Sequence, residues 1–210
     1  MTNRKLVRGD FLERLKEIAR QRPAGILLRE KDLTPEEYRK LAREVQSICK
    51  KAGVPCILHS FTGVAEELEA DALHLPLPLL RKLPGKERAR FRQLGASCHS
   101  VADAREAQSL GCTYITAGHI FDTDCKRGLP GRGLDFLREV CGAVTIPVYA
   151  IGGIEPKRMA EIFAAGAAGA CVMSGPMVCE DVGTYFADFA GAGKAAAAAV
   201  SGETEAPSEK

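Results

Sequence analysis

Short, nearly uniform apolar runs alternate with longer amphipathic ones along this chain. The runs Ala24 to Leu28, Val54 to Leu58, Ala72 to Leu75, Gly95 to Cys98, Thr113 to Ala117, Pro147 to Ile151 and Gly169 to Met173 lack the polar alternation of half-exposed strands. They predict strands buried on both faces, as in a parallel sheet covered by helices. The segments between them predict helices with legible ends. Thr34-Pro35-Glu36-Glu37 supplies an N-cap, a proline in the first turn and acids that suit the helix dipole, and Ala52-Gly53 supplies the stop. Ser100 and Glu155-Pro156 open two further helices that stop at Leu110-Gly111 and Ala165-Gly166, and another is expected from Asp10 to Arg20.

This rhythm is a repeated βα unit. With a truncated first strand around Met1 to Val7, the pattern gives eight units and predicts a single-domain α/β fold, a (β/α)8 TIM barrel over residues 1–188. The same alternation permits an open doubly wound sheet. The barrel is preferred because chemically rich residues recur after nearly every strand rather than at one switch point. Residues 189–210 turn to Ala-Gly-Ala-Gly-Lys, an alanine run and a polar end. They are expected to form a low-complexity, disordered tail apart from a short alanine helix.

Composition narrows the function. With 46% hydrophobic residues the chain can bury a full core, while a net charge of +2, 6% aromatics and no tryptophan argue against a nucleic-acid partner. The eight cysteines are scattered, without a CxxC pair, and read as free thiols of a cytosolic protein rather than a zinc site or a disulfide framework. No window approaches the ~20 apolar residues of a membrane span, so a cytoplasmic location without a membrane partner is expected. A homodimer is left open.

The candidate chemistry sits at the strand ends, which in a barrel form the active face. The richest stretch is the loop Gly118-His119-Ile120-Phe121-Asp122-Thr123-Asp124-Cys125-Lys126-Arg127-Gly128-Leu129-Pro130-Gly131-Arg132-Gly133. It is long and polar enough to be functional, although a solvated surface loop would read similarly. Gly152-Gly153 and Ser174-Gly175 follow the last two strands and precede helix starts, where free N–H groups attract an anion, so a phosphorylated small molecule is expected there. Arg29 and Lys31 alternate with Glu30, so both bases can meet a second anionic group, unless Arg29 merely pairs with Glu30 on the surface. Lys126 can reach the same anion from its loop. His119 is the candidate general acid/base, since histidine titrates near neutrality. His59, His74 and His99 read first as hydrogen-bonding walls, with His99 as a substrate contact. No paired acids at the strand ends suggest a metal, and no cofactor is expected.

Leu28-Arg29-Glu30-Lys31-Asp32-Leu33, Ala52-Gly53-Val54-Pro55, Ala72-Leu73-His74-Leu75, Ile151-Gly152-Gly153-Ile154 and Val172-Met173-Ser174-Gly175 together resemble the thiamine phosphate synthase superfamily. The resemblance runs from Thr2 to about Ala187, and the loop from Gly118 to Gly133 resembles the TenI branch, the thiazole tautomerases. The synthase pattern has Asn-Asp at the third strand end and Gly-Gln-x-Asp after the fourth, acids that hold the magnesium of the pyrimidine pyrophosphate. Here those positions read His59-Ser60 and Pro76-Leu77-Pro78, and the loop begins Gly118-His119 where synthases have Gly-Pro. The resemblance therefore implies a thiazole tautomerase acting on a phosphorylated carboxythiazole. His119 would move the proton, Gly152, Gly153, Ser174 and Gly175 would hold phosphate, and Arg29, Lys31 or Lys126 would meet the carboxylate. The alternatives are thiamine phosphate synthase itself and a non-catalytic regulator on the same scaffold.

Overall fold

The computed structural model describes residues 1–123, 126 and 128–201. All seven expected apolar runs form strands: β1 (Ile26–Leu28), β2 (Cys56–His59), β3 (Ala72–Pro76), β4 (Gln93–Cys98), β5 (Tyr114–Gly118), β6 (Val148–Ile151) and β7 (Gly169–Cys171). They make one curled parallel sheet in the order β1-β2-β3-β4-β5-β6-β7. Neighbours in sequence are neighbours in space, so there is no switch point and the doubly wound alternative is excluded. Helices α1 (Phe11–Arg20), α2 (Pro35–Ala52), α3 (Thr62–Glu67), α4 (Leu77–Lys82), α5 (Gly85–Arg88), α6 (Val101–Ser109), α7 (Gly133–Ala143), α8 (Met159–Ala164), α9 (Ser174–Val178) and α10 (Val182–Ser201) make the crossovers and flanks.

The caps form as the residues dictate. Thr34 and Glu37 close a reciprocal capping box at the start of α2, and Gly53 ends the helix in a left-handed conformation with φ 68°. From α2, the buried Tyr38 hydroxyl donates to Leu28 O at 2.7 Å and accepts from His59 N–H at 2.8 Å, tying together the ends of β1 and β2. Inside the sheet, register pairs large residues with absent ones. Tyr114 lies opposite Gly95 and Tyr149 opposite Gly169, and a Cβ at Gly95 would overlap the Tyr114 ring. Glycine in these two strands is thus the space that an aromatic occupies.

The expected first strand does not form. Arg4–Leu6 is a 3-10 turn, and only Met1 and Thr2 run beside the sheet. Met1 N–H donates to Val172 O at 3.0 Å, just past β7, and Thr2 N–H donates to Leu27 O at 2.9 Å in β1. Two residues thus bridge the sheet edges where a strand was anticipated, because Asn3, Arg4 and Lys5 cannot be buried on both faces. What fixes this segment is Glu30, 2% exposed, whose carboxylate accepts from Thr2 Oγ1 at 2.7 Å, Arg4 N–H at 3.0 Å and Arg4 Nη1 at 3.1 Å. Arg4 also grips Asp32 through both Nη atoms at 2.7 Å, which holds the Asp32 carboxyl well below the usual range.

At the other end, α10 packs on α1 and α8. It runs to Ser201, so the boundary drawn at residue 188 from composition falls inside a helix that includes the alanine run. Residues 202–210 lie outside the described residues. The seven described cysteines are free thiols, and Cys125 lies outside the described set. Among the described residues no helix is long and apolar enough to cross a membrane.

Removing the Glu30 carboxylate should leave Thr2 and the Arg4 charge without their buried acceptor. Glu30→Ala is expected to lower unfolding free energy by about 3 kcal/mol, read from the urea midpoint at unchanged m-value. A loss below about 0.5 kcal/mol would show that the N-terminal segment is not anchored this way.

Candidate active site

The C-terminal strand ends open into a cavity of about 1370 Å³. Arg29 and Lys31 line it after β1, His59 at the end of β2, Ser97 from β4 and His99 just after it. His119 and Lys126 enter from the loop after β5, Gly152-Gly153 from the turn after β6, and Ser174-Gly175 from the start of α9. The residues singled out for ligand binding in the sequence therefore share one cavity. Of that loop, Asp124, Cys125 and Arg127 lie outside the described residues.

The two bases reach the cavity because Glu30 turns the other way. The surface pair of Arg29 with Glu30 does not form, since the acid is buried against Arg4 and Thr2. Partial desolvation lowers the proton affinity of Lys31, and the neighbouring charges of Arg29 and Lys126 lower it further. Three cations therefore crowd one part of the mouth, an arrangement that an anion relieves.

Beneath the mouth lies a chain of polar side chains. His59 Nδ1 bonds Ser60 Oγ at 2.7 Å, and its ring stacks on His74 with centroids 5.8 Å apart. His74 is fully buried, with Nδ1 bonded to Tyr114 Oη at 3.0 Å and Nε2 to Ser97 Oγ at 2.9 Å. Burial pushes the His59 ring down to about 2 and His74 down to about 3, and the charges of Lys31 and, for His59, Arg29 push the same way. Both are neutral hydrogen-bonding walls at physiological pH.

The other two histidines are tied to the loop after β5. His99 Nδ1 donates to Gly118 O at 2.8 Å. His119 Nε2 donates to Leu129 O at 3.1 Å, so the residue expected to carry protons spends a ring nitrogen on bracing its own loop. The loop rests on the turn after β6. Gly152 and Gly153 adopt φ values of 96° and 64°, and Cβ atoms there would overlap His119 and the Phe121-Asp122 backbone respectively. Both glycines are thus required by chain packing as well as by any ligand. Gly175 has a similar cause, since a Cβ would strike the Tyr185 ring and hydroxyl from α10.

Two lining residues carry no signal in the sequence. Arg158, after the Pro156–Arg158 turn, places its guanidinium 4.0 Å from the Phe121 ring centroid, holding the loop and adding a cation to the cavity. Tyr185 faces the cavity from a helix whose role is otherwise packing.

A single parallel α/β sheet with a cation-lined ligand cavity at its strand C-termini defines the class, and comparison with known proteins gives the family. The model of the thiamine monophosphate synthase family matches residues 1–175, and the chain belongs to that family. It is 33% identical over 189 residues to a thiamine-phosphate synthase of Syntrophomonas wolfei, covering 87% of this chain and 88% of that one. It is 39% identical over 165 residues to a thiamine-phosphate synthase of Moorella thermoacetica, covering 75% and 76% of the two chains. Among solved structures, a thiamine phosphate pyrophosphorylase from Pyrococcus furiosus superposes with a TM-score of 0.80 at 26% identity, covering 93% of this chain and 94% of the other.

These relatives overturn the tautomerase reading. They carry the name of the transferase, and nothing in them is specific to the TenI branch that the loop from Gly118 to Gly133 resembles. The superfamily stands and the isomerase assignment does not. The structure gives a physical reason for caution about that loop, since its distinctive residues His119, Phe121 and Asp122 are engaged in seating it on Gly152-Gly153.

Two outcomes follow from this geometry. Because the folded state keeps His59 and His74 neutral far below the ordinary value of 6.5, the unfolded chain binds more protons as pH falls. Stability should therefore decline from about pH 6.5 toward pH 3, by up to about 1.4 kcal/mol per pH unit for each histidine. His74→Gln should lower stability at pH 7 but roughly halve that slope in urea titrations, and an unchanged slope would rule out the cause. Gly152→Ala should cost about 2 kcal/mol or more, because it adds a Cβ into His119 at positive φ. A neutral result in thermal unfolding would mean that the loop is not seated there.

Proposed function

We propose that this chain is a transferase of the thiamine-phosphate synthase type, joining a thiazole phosphate to a hydroxymethylpyrimidine carried as its pyrophosphate ester. The observation that carries this reading is the single cavity in which Arg29, Lys31 and Lys126 meet the glycine turns at 152–153 and 174–175. Such a cavity has separate places for two anionic groups. The names of relatives at 29% to 39% identity point to the same reaction.

In this reading the thiazole ring nitrogen supplies the electron pair for a new C–N bond to the pyrimidine methylene carbon. The C–O bond to pyrophosphate breaks, and the leaving group takes its electrons away as inorganic pyrophosphate. Arg29, Lys31 and Lys126 hold that leaving group where its charge grows, the step in which fixed cations contribute most. The backbone at Gly152-Gly153 and Ser174-Gly175 holds the thiazole phosphate. His59 and Ser97 form neutral hydrogen-bonding walls, and His99, whose Nδ1 donates to Gly118 O, lines the cavity beside them. Proximity of two bound reactants then supplies much of the rate.

Family chemistry implies magnesium, and the residues present do not fit it. Magnesium requires oxygen ligands, whereas the ends of β2 and β3 offer His59, Ser60 and Pro76. Among the described residues no group of three or more histidine, cysteine, aspartate or glutamate side chains is placed to hold a metal.

Purified protein given both substrates should form thiamine phosphate and release pyrophosphate, detected by mass spectrometry. Lys31→Ala should lower kcat/KM at least tenfold, the scale of a lost charge contact in the transition state. Absence of thiamine phosphate over hours, with and without added magnesium, would refute the transferase.

A further inference from the structure

The carboxylates around the mouth are already engaged. Glu30 is buried on Thr2 and Arg4, and Asp32 is paired with Arg4 and Lys5. Of the acids lining the cavity, Asp122 accepts from Gly131 N–H at 2.7 Å and Glu155 pairs with Lys157 at 2.7 Å. At the end of β2 stands a histidine bonded to its neighbouring serine, and at the end of β3 a proline. The cations contrast with this. None of the described carboxylates pairs with Arg29 or Lys31, which face the cavity together with Lys126.

We propose that this mouth binds an organic diphosphate directly, without a divalent cation, with Arg29, Lys31 and Lys126 supplying the positive charge. Binding of a diphosphate needs charge compensation and many donors. A guanidinium offers a rigid fork that grips two oxygens at once, and ammonium groups add compact charges around it. Magnesium would have to shed water for oxygen ligands, and the neutral pair His59 and Ser60 gives it little reason to do so. Placing a metal here would also set its charge beside the cations already present, and the acids that line the cavity among the described residues, Asp122 and Glu155, are engaged elsewhere. The lowered proton affinity of Lys31 agrees with cations crowded together before an anion arrives. The inference takes the identity of its ligand, a pyrophosphate ester, from the transferase reading.

The test is calorimetric titration of metal-stripped protein with inorganic pyrophosphate, with and without millimolar magnesium, and with magnesium alone. Pyrophosphate should bind without metal, magnesium should leave its affinity unchanged or weaken it by sequestering the free anion, and magnesium alone should give no binding heat. Arg29→Ala and Lys31→Ala should each weaken pyrophosphate at least tenfold with an unchanged circular dichroism spectrum, and Lys31→Arg should restore most of the loss. Failure to bind pyrophosphate without metal, or a tenfold or greater tightening by magnesium, would overturn the proposal. The two readings part cleanly in this design. Metal-free binding without thiamine phosphate formation would sink the transferase and leave this site standing, whereas turnover and pyrophosphate binding that both require magnesium would do the reverse.

Discussion

The buried Glu30 carboxylate is the contact on which both the architecture and the site depend. A charge removed from water is tolerated only when it is matched, and here Thr2, the Arg4 backbone and the Arg4 guanidinium supply the match. That match draws the N-terminal segment across the gap between β1 and β7, where two residues take the place of a strand. It also sets the direction of Arg29 and Lys31. With Glu30 buried against Thr2 and Arg4, its neighbours Arg29 and Lys31 line the cavity instead. One carboxylate thus anchors the segment that bridges the edges of the open seven-stranded sheet, and it leaves the bases beside it to the mouth.

The glycine turns illustrate how a motif can serve packing and ligand binding with the same atoms. The loop of fourteen residues between β5 and α7 lines an open cavity, and a loop that long needs anchors. Its anchors are the flattened backbone at Gly152-Gly153, the His119 bond to Leu129 O, the Asp122 bond to Gly131 N–H and the Arg158 guanidinium on Phe121. The space that side chains at 152 and 153 would take is filled by His119 and the Phe121-Asp122 backbone, so the turn and the loop are packed directly together. Turn and loop are therefore one mechanical unit, and a substitution at Gly152 disturbs both.

How much of this was legible in the sequence follows from how local each cause is. The seven strands and the starts of α2 and α6 could be read because burial on both faces and capping chemistry act within a few residues. The first strand could not, since the segment Met1 to Val7 holds no apolar run and the expectation came from counting to eight. The surface pair of Arg29 with Glu30 stayed open as an alternative because the true partner of Glu30 lies 26 residues away. Arg158 was invisible for the same reason, since its meaning lies in a ring from a distant loop. The cavity residues themselves were legible, because strand ends in a parallel sheet converge whatever the loops do. The reaction was not, since one distinctive loop outweighed the rest of the chain, and that loop turns out to be occupied with its own support.

The remaining tension lies between family and site. Relatives named thiamine-phosphate synthase support the transferase reading, while among the described residues no group of acidic, histidine or cysteine side chains is placed to hold a metal. Leaving-group charge must be neutralised somewhere, and Arg29, Lys31 and Lys126 bring charge of the right sign to the cavity. A fixed cation cluster can stabilise developing charge without reorganising, which a weakly held metal cannot. The neutral histidines agree with this division of labour. A carboxylate at position 59 would pair with Lys31 or Arg29 and cancel the field, whereas an uncharged His59 bonded to Ser60 leaves that field intact for the ligand.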